Sequence, residues 1–223
     1  ENAIARFFAD APTSPLTPIS FGTLPQDVVF NRAGTVAYAP SVEDRIVYTI
    51  DVAGGSIKTF LPIEFFPSRL AISRDESRLF VLSPAFESRV YAVPLDGSAA
   101  AFAQIPGTAQ GIAVSATTGN VYVALDGGVR RLDPGTLTVQ ASSTGLGVPD
   151  DVIALSPDGK RVWVGNDMGN LQMLDATSLA SLGTVPVGIG ISGLALTPDG
   201  AQLYATTHSS ELLIVDVSQM AIV

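Results

Sequence analysis

A unit of 41 or 42 residues recurs along the 223-residue chain, and this period constrains the fold more than any other feature of the sequence. The clearest copies are residues 153–159 (IALSPDG) and 194–200 (LALTPDG). In each copy a short apolar run ends in Pro-Asp-Gly and is followed by a second apolar run, at residues 162–164 or 203–205. Proline suits the second position of a turn, aspartate caps the turn, and glycine adopts a positive φ angle. The unit therefore predicts a β-hairpin.

Two other landmarks share this phase in five copies. An aromatic residue lies seven positions after the residue that opens the turn. The five pairs are Asn31 and Tyr38, Ser73 and Phe80, Ser115 and Tyr122, Ser156 and Trp163, and Thr197 and Tyr204. The next alternating run ends in aspartate, at Asp51, Asp96, Asp133, Asp175 and Asp216. We expect these side chains to cap a turn into a further strand, so the unit has four short antiparallel strands, a to d.

Four-stranded units at this spacing are typical of a β-propeller. One small sheet cannot bury both of its faces, whereas radially stacked sheets (blades) cover one another, with the in-phase aromatic residues packed between them. A β-sandwich would also contain many short strands, but it gives no reason for five copies in register. The sequence therefore predicts an all-β chain, a β-propeller of about five four-stranded antiparallel blades that is either complete or part of a larger propeller.

Residues 152–217 resemble the YVTN type of β-propeller repeat. The resemblance is carried by the pattern at 187–188 (VG), 197–200 (TPDG), 203–205 (LYA) and 213–216 (LIVD). At residues 73–76 and 115–119 the turn signature differs, and the match depends on spacing. The resemblance implies a bacterial surface or secreted protein whose relatives include lactonase-like enzymes and quinoprotein dehydrogenases. It implies a scaffold and, by itself, no activity.

The landmarks also predict where each blade lies. We expect full blades at residues 24–65, 66–108, 109–148 and 149–190, strands a to c at 191–223, and strands c and d of a partial blade at 1–23, with Asp10 as its landmark. Residues 16–21 would either complete the last blade as its strand d, closing a ring of five, or belong to a longer array of six or seven blades. The longer array is favoured because ring closure leaves residues 4–10 as a surplus strand.

Composition excludes several classes of function. The chain has 12 basic and 21 acidic residues, no cysteine and one histidine, so disulfides, thiolate chemistry and His-rich zinc sites are excluded. The net charge of −9 argues against nucleic acid as a partner. No signal peptide or membrane-spanning segment is evident, and membrane insertion is not expected. The acidic, cysteine-free composition favours an extracellular, cell-surface or periplasmic location.

Candidate binding residues lie on the d–a and b–c loops, which meet at one end of a propeller. Those favoured for binding are Asp27, Arg69, Gln110, Asp126, Asp151, Asp167 and His208. Other polar residues of these loops are Glu43, Asp44, Glu87, Asp150 and Ser192. Converging carboxylates would suit a hard cation such as calcium. The alternative is that the loops are polar because they are solvated.

No catalytic residues are assigned. His208 stands next to Ser209 but lacks a nucleophile-elbow motif, so we expect an exposed loop histidine. Asp150 and Asp151 form either a turn or a pair of acid–base carboxylates.

The function favoured is a non-catalytic β-propeller scaffold of a secreted or surface protein that binds a protein, glycan or surface partner through the loops over its central channel. The alternative is a lactonase-like metal-dependent hydrolase using axial carboxylates. No cofactor is expected, apart from calcium in that alternative. A third possibility is an array element of a surface-layer protein. The sequence also allows an oligomer or a partner that completes a blade with a strand.

Overall fold

The computed structural model describes residues 3–8, 11–21, 25–84, 88–146 and 149–223, with side chains described from residue 18 onward except at 149–151. These residues form 22 β-strands and no helix. The predicted all-β class is therefore confirmed. Since the described residues contain no helix, none of them belongs to a helix that could cross a bilayer.

Twenty strands form five antiparallel four-stranded sheets, each in the order predicted for a blade. Blade 1 contains β3 (Val29–Phe30), β4 (Val36–Ser41), β5 (Ile46–Asp51) and β6 (Ser56–Pro62). Blade 2 contains β7 (Arg69–Ile72), β8 (Arg78–Ser83), β9 (Ser88–Pro94) and β10 (Ala101–Ile105). Blade 3 contains β11 (Ala109–Val114), β12 (Val121–Leu125), β13 (Gly128–Leu132) and β14 (Val139–Ser142). Blade 4 contains β15 (Pro149–Leu155), β16 (Arg161–Asn166), β17 (Asn170–Asp175) and β18 (Ser181–Pro186). Blade 5 contains β19 (Ile191–Leu196), β20 (Gln202–Thr207), β21 (Leu212–Asp216) and β22 (Ala221–Ile222).

The last blade differs from the expectation of strands a to c only. β22 pairs with β21 through Val215–Ile222 and Asp216–Ala221, so residues 191–223 contain a short strand d and the prediction is wrong at this point. The physical reason is that the intervening turn needs only four residues, because the Asp216 carboxylate accepts the N–H groups of Ser218 and Gln219.

The segment before blade 1 forms a hairpin of β1 (Ala3–Phe8) and β2 (Ala11–Ser20). Strand β2 pairs with β1, and the outer strand of blade 5 is β22, so residues 16–20 do not complete the last blade. Ile19 and Phe21 pack against Ala39 and Ile50 of blade 1. The landmark predicted at Asp10 lies outside the described residues.

Four of the five in-phase aromatic residues fill the contacts between consecutive blades. Tyr38 packs against blade 2, Phe80 against blade 3, Tyr122 against blade 4 and Trp163 against blade 5. These four are at most 7% exposed. Tyr204, the fifth, is only partly buried. It lies opposite Ala195 and Ile214, on a face of blade 5 where Ala195 is exposed.

The turn residues act as the sequence predicts. Asp51, Asp96, Asp133, Asp175 and Asp216 each accept a backbone N–H from the c–d turn that follows them. In the a–b turn of blade 4, Ser156 Oγ donates to Asp158 at 2.6 Å and accepts the N–H of Arg161 at 2.9 Å. The same arrangement recurs around Thr197 in blade 5. The hairpins of successive blades are therefore closed by one repeated hydrogen-bonding scheme.

Candidate functional site

Antiparallel connectivity places the d–a and b–c loops at one end of the blades and the a–b and c–d turns at the other. We call these the channel end and the turn end. The sequence-predicted site residues that the structure describes belong to the channel end.

A hollow of about 180 Å³ at the channel end brings together two of the predicted residues, Arg69 and Gln110. Both stand on strand a of their blades, β7 and β11. The remaining lining comes from Gln26, Ser68, Pro84, Thr108 and Ala109, so the hollow lies where blades 1, 2 and 3 meet. A second hollow of about 200 Å³ shares Gln26, Ser68 and Pro84 and extends to Val42 and Phe66.

Asp27 and Arg69 tie blade 1 to blade 2. One carboxylate oxygen of Asp27 accepts the N–H of Val28, and the other accepts the N–H of Leu70, each at 2.8 Å. Arg69 Nη1 donates to the carbonyls of Gln26 and Ser68, each at 3.3 Å. Asp27 therefore joins two blades, whereas Arg69 also presents a charged edge to the hollow.

Gln110 and Asp126 meet across blade 3. Gln110 Nε2 donates to Asp126 Oδ1 at 3.4 Å, and the Asp126 N–H donates to the Thr108 carbonyl at 3.0 Å. This pair orients the amide of Gln110 beside the hollow that Arg69 also lines.

The other predicted residues whose side chains the structure describes do not line these hollows. Asp167 and His208 are exposed on the b–c turns of blades 4 and 5, and the His208 N–H donates to the Gly190 carbonyl at 2.9 Å. The side chains of Asp150 and Asp151, and residue Glu87, lie outside the described residues.

Among the remaining loop residues, Glu43 is exposed, and Ser192 shares a hydrogen bond with Thr206 at 3.1 Å. Asp44 accepts hydrogen bonds from Ser41 Oγ at 2.8 Å and from the Tyr48 hydroxyl at 3.0 Å. Burial, together with this hydrogen bond to a carboxylate, raises the pKa of Tyr48.

The described side chains do not form the cation site that the metal-dependent alternative requires. Within the described ranges, no group of three or more histidine, aspartate or glutamate residues is close enough to hold a metal ion. The carboxylates instead serve local contacts, as in Asp27, Asp44 and Asp126. The residues that the structure describes therefore do not fit a calcium ion.

Sequence reasoning missed Gln26, Ser68 and Thr108, which line the hollow. The signal was available, because Gln26 and Ser68 each precede a predicted residue by one position and are separated by one repeat. It also missed buried polar residues at the ends of strands b: Ser41, Ser83, Asn166 and Thr207. Asn166 and Thr207 accept N–H groups of the next turn, so their role is to shape the b–c loops.

Two solved structures establish the fold class. The β-propeller domain of Cps50 (Swd1) from Myceliophteria thermophila is 19% identical, with a TM-score of 0.74 over 88% of this chain and 66% of that one. A chain of a mitotic checkpoint complex is 15% identical, with a TM-score of 0.83 over all of this chain and 70% of that one. The predicted β-propeller fold is therefore confirmed. No family model matches the chain, and no curated protein matches it.

Proposed function

We propose that this chain is a non-catalytic β-propeller scaffold that binds a protein partner through its channel end. The observation that carries the proposal is the hollow shared by Arg69 and Gln110, where a guanidinium and an amide from neighbouring blades face one opening. Loops on a rigid scaffold commonly carry binding function, and a fold of this kind requires no catalytic group.

One further point supports a role in a protein assembly, and another supports a location at the cell exterior. One similar structure was determined as part of a mitotic checkpoint complex, which is an assembly of proteins. The YVTN-like pattern at 152–217 and the acidic, cysteine-free composition favour a secreted or surface-exposed bacterial protein. Glycan or surface partners are alternatives to protein, and a glycan array would distinguish them from peptide binding.

A displayed peptide library tests the channel-end proposal. Peptides enriched on the wild-type chain should lose most of their binding to the double variant Arg69→Ala, Gln110→Ala. The matched control is Lys160→Ala, which removes an exposed cation from the turn end. Failure to enrich any peptide family, or equal loss in both variants, would count against the channel end as the binding site.

The metal-dependent hydrolase remains a separate prediction, and a calcium titration tests it. A ligand that binds only the folded state raises the melting temperature, and the rise grows with the logarithm of ligand concentration above the dissociation constant. Because the described histidine and carboxylate residues form no cluster of three or more, we expect no shift in melting temperature at millimolar calcium. A melting temperature that rises with calcium concentration, and that no longer does so when Asp126 or Asp167 is replaced, would support the alternative.

A further inference from the structure

A groove of about 510 Å³ lies at the turn end, opposite the proposed channel-end site. It is lined by turns of blades 1, 2 and 3, and three of its residues are arginines: Arg32, Arg74 and Arg78. The whole chain has only 12 basic residues and a net charge of −9. A quarter of its cations therefore line one opening.

Two of these arginines occupy the second position of the a–b turn, where arginine is not required to form the hairpin. Arg32 and Arg74 follow the turn-opening residue, where blades 4 and 5 have Pro157 and Pro198. The turn hydrogen bond is the same in both kinds of blade, at 2.9 Å from Glu76 N to Ser73 O and 2.8 Å from Gly159 N to Ser156 O. Proline favours this turn, so arginine here is not explained by hairpin closure.

The turn of blade 2 departs from the repeat at a second position. Glu76 has φ of 57°, at the place where blades 4 and 5 have Gly159 and Gly200 with φ of 70°. This conformation is unfavourable for a residue with a Cβ atom, and such strain is often found at functional sites. Glu76 Oε1 accepts the N–H of Arg32 at 2.6 Å and lies 4.0 Å from its Nε. The strained residue thereby fixes Arg32 beside the groove.

The guanidinium groups retain donors for a ligand. Arg32 Nη2 donates to the Arg74 carbonyl at 2.9 Å, and Arg78 Nη1 donates to the Pro134 carbonyl at 3.4 Å. The Arg74 side chain is exposed and makes no hydrogen bond or ion pair with the described residues. Since each guanidinium carries five N–H donors, most of them remain available, and bidentate pairing with carboxylates is their preferred use.

The acidic neighbours define which anion fits. Asp75, which also lines the groove, accepts hydrogen bonds from Ser73 Oγ at 2.7 Å and Ser77 Oγ at 2.8 Å. These bonds lower the pKa of Asp75 to about 2, so it is ionised at neutral pH. With Asp75 and Glu76 nearby, three arginines leave a small positive excess, which matches singly charged carboxylates better than a doubly charged phosphate.

We propose that this arginine groove binds the carboxylate side chains of an acidic peptide segment of a partner protein. The groove is long enough to accept several side chains, because it runs from the a–b turns of blades 1 and 2 to residues Pro134 and Gly135 of blade 3. The groove shares no lining residue with the channel-end hollows. The proposal therefore does not depend on the function proposed for the channel end.

Titration calorimetry with acetyl-tetraglutamate amide tests the proposal, with the tetraglutamine peptide as the uncharged control. We expect binding of the acidic peptide only, weakened about tenfold by Arg74→Gln and strongly reduced by added salt. The matched control is Arg161→Gln, because Arg161 holds the repeat position of Arg78 in blade 4 but does not line the groove. This variant should bind as the wild type does.

Two outcomes would overturn the proposal. Equal affinity of Arg74→Gln and Arg161→Gln would show that binding reflects general charge attraction. Tighter binding of inorganic phosphate than of the acidic peptide, lost in Arg74→Gln, would assign the groove to a phosphate ligand. Since Arg74 is exposed, its replacement should leave the melting temperature unchanged, which separates lost binding from lost folding.

Discussion

Two glycines with nearly the same backbone conformation differ in their surroundings. Gly34 has φ of 67° and Gly169 has φ of 72°. A Cβ atom at Gly34 would meet no described atom within 4 Å, whereas one at Gly169 would overlap the backbone of Gly188 and Ile189. An alanine substitution at each site therefore separates the free-energy cost of a positive φ angle from the cost of steric overlap.

We predict that Gly34→Ala destabilises the fold by about 1–2 kcal/mol, which is the penalty for a Cβ in the left-handed region. Gly169→Ala should cost distinctly more, on the order of 3 kcal/mol, because the backbone of the d–a loop must also move. Urea unfolding of the two variants measures the difference. Equal decreases in the free energy of unfolding would mean that the backbone at residues 188–189 moves aside at no cost.

Among the predicted site residues, Arg69 and Gln110 line one hollow, and their role in binding stays a prediction. Both were predicted because they lie near the d–a loops, at the start of β7 and β11. Asp27 shares their repeat phase, yet its carboxylate accepts two backbone N–H groups. Repeat phase predicts where a side chain lies, but its hydrogen-bonding partners depend on the neighbouring blade and could not be predicted from spacing.

At the scale of the hairpin turn, hydrogen bonds to aspartate are the recurrent feature, and they lower the pKa of each carboxyl group concerned. This holds for the turn aspartates Asp51, Asp75, Asp96, Asp133, Asp158, Asp175, Asp199 and Asp216. The largest cause at Asp51 is the N–H of Gly54, and at Asp75 it is the hydroxyl of Ser73. The turns are therefore best formed with ionised carboxylates.

We predict that stability falls in acid through these turns. A carboxyl whose pKa is lower in the folded state contributes stability that is complete above its unfolded pKa and is lost as the pH falls through the folded value. For Asp75 this window runs from about pH 4 in the unfolded chain down to about pH 2. Urea midpoints measured from pH 6 to pH 2 should be level above about pH 5 and decline below it.

The variant Asp75→Asn should show a shallower acid decline than the wild type, because it cannot be protonated there. Glu43→Gln is the control, since Glu43 is exposed and makes no hydrogen bond or ion pair with the described residues. An acid profile of Asp75→Asn identical to that of the wild type would show that the turn carboxylate does not contribute.

At the scale of the whole molecule, each blade is stabilised mainly by its neighbours in sequence. Clusters of buried residues join blades 1 and 2, 2 and 3, 3 and 4, and 4 and 5. The period, the hairpins and the in-phase aromatics of this stack were predictable because they are local and repeated. The short strand β22 was not, because it depends on how tightly the Asp216 turn closes.

Equivalent aromatic residues in the last two blades should therefore differ in importance. Trp163 is fully buried against blade 5, so Trp163→Ala should destabilise the fold by about 3–5 kcal/mol. Tyr204 is partly exposed and its hydroxyl donates to Gln202 at 3.1 Å, so Tyr204→Ala should cost about 1 kcal/mol. Thermal unfolding monitored by circular dichroism measures both, and similar losses would indicate that Tyr204 is covered in solution.

Trp163 is the single tryptophan of the chain, it has no exposed surface, and its indole N–H makes no hydrogen bond with the described residues. Its fluorescence emission should accordingly lie at short wavelength while blades 4 and 5 are in contact, and should move to longer wavelength when water reaches the ring. Separation of blade 5 from blade 4 would shift the emission wavelength, whereas loosening of blades 1 and 2 alone would leave it unchanged. The chain thus carries an intrinsic optical reporter of one particular interface between blades.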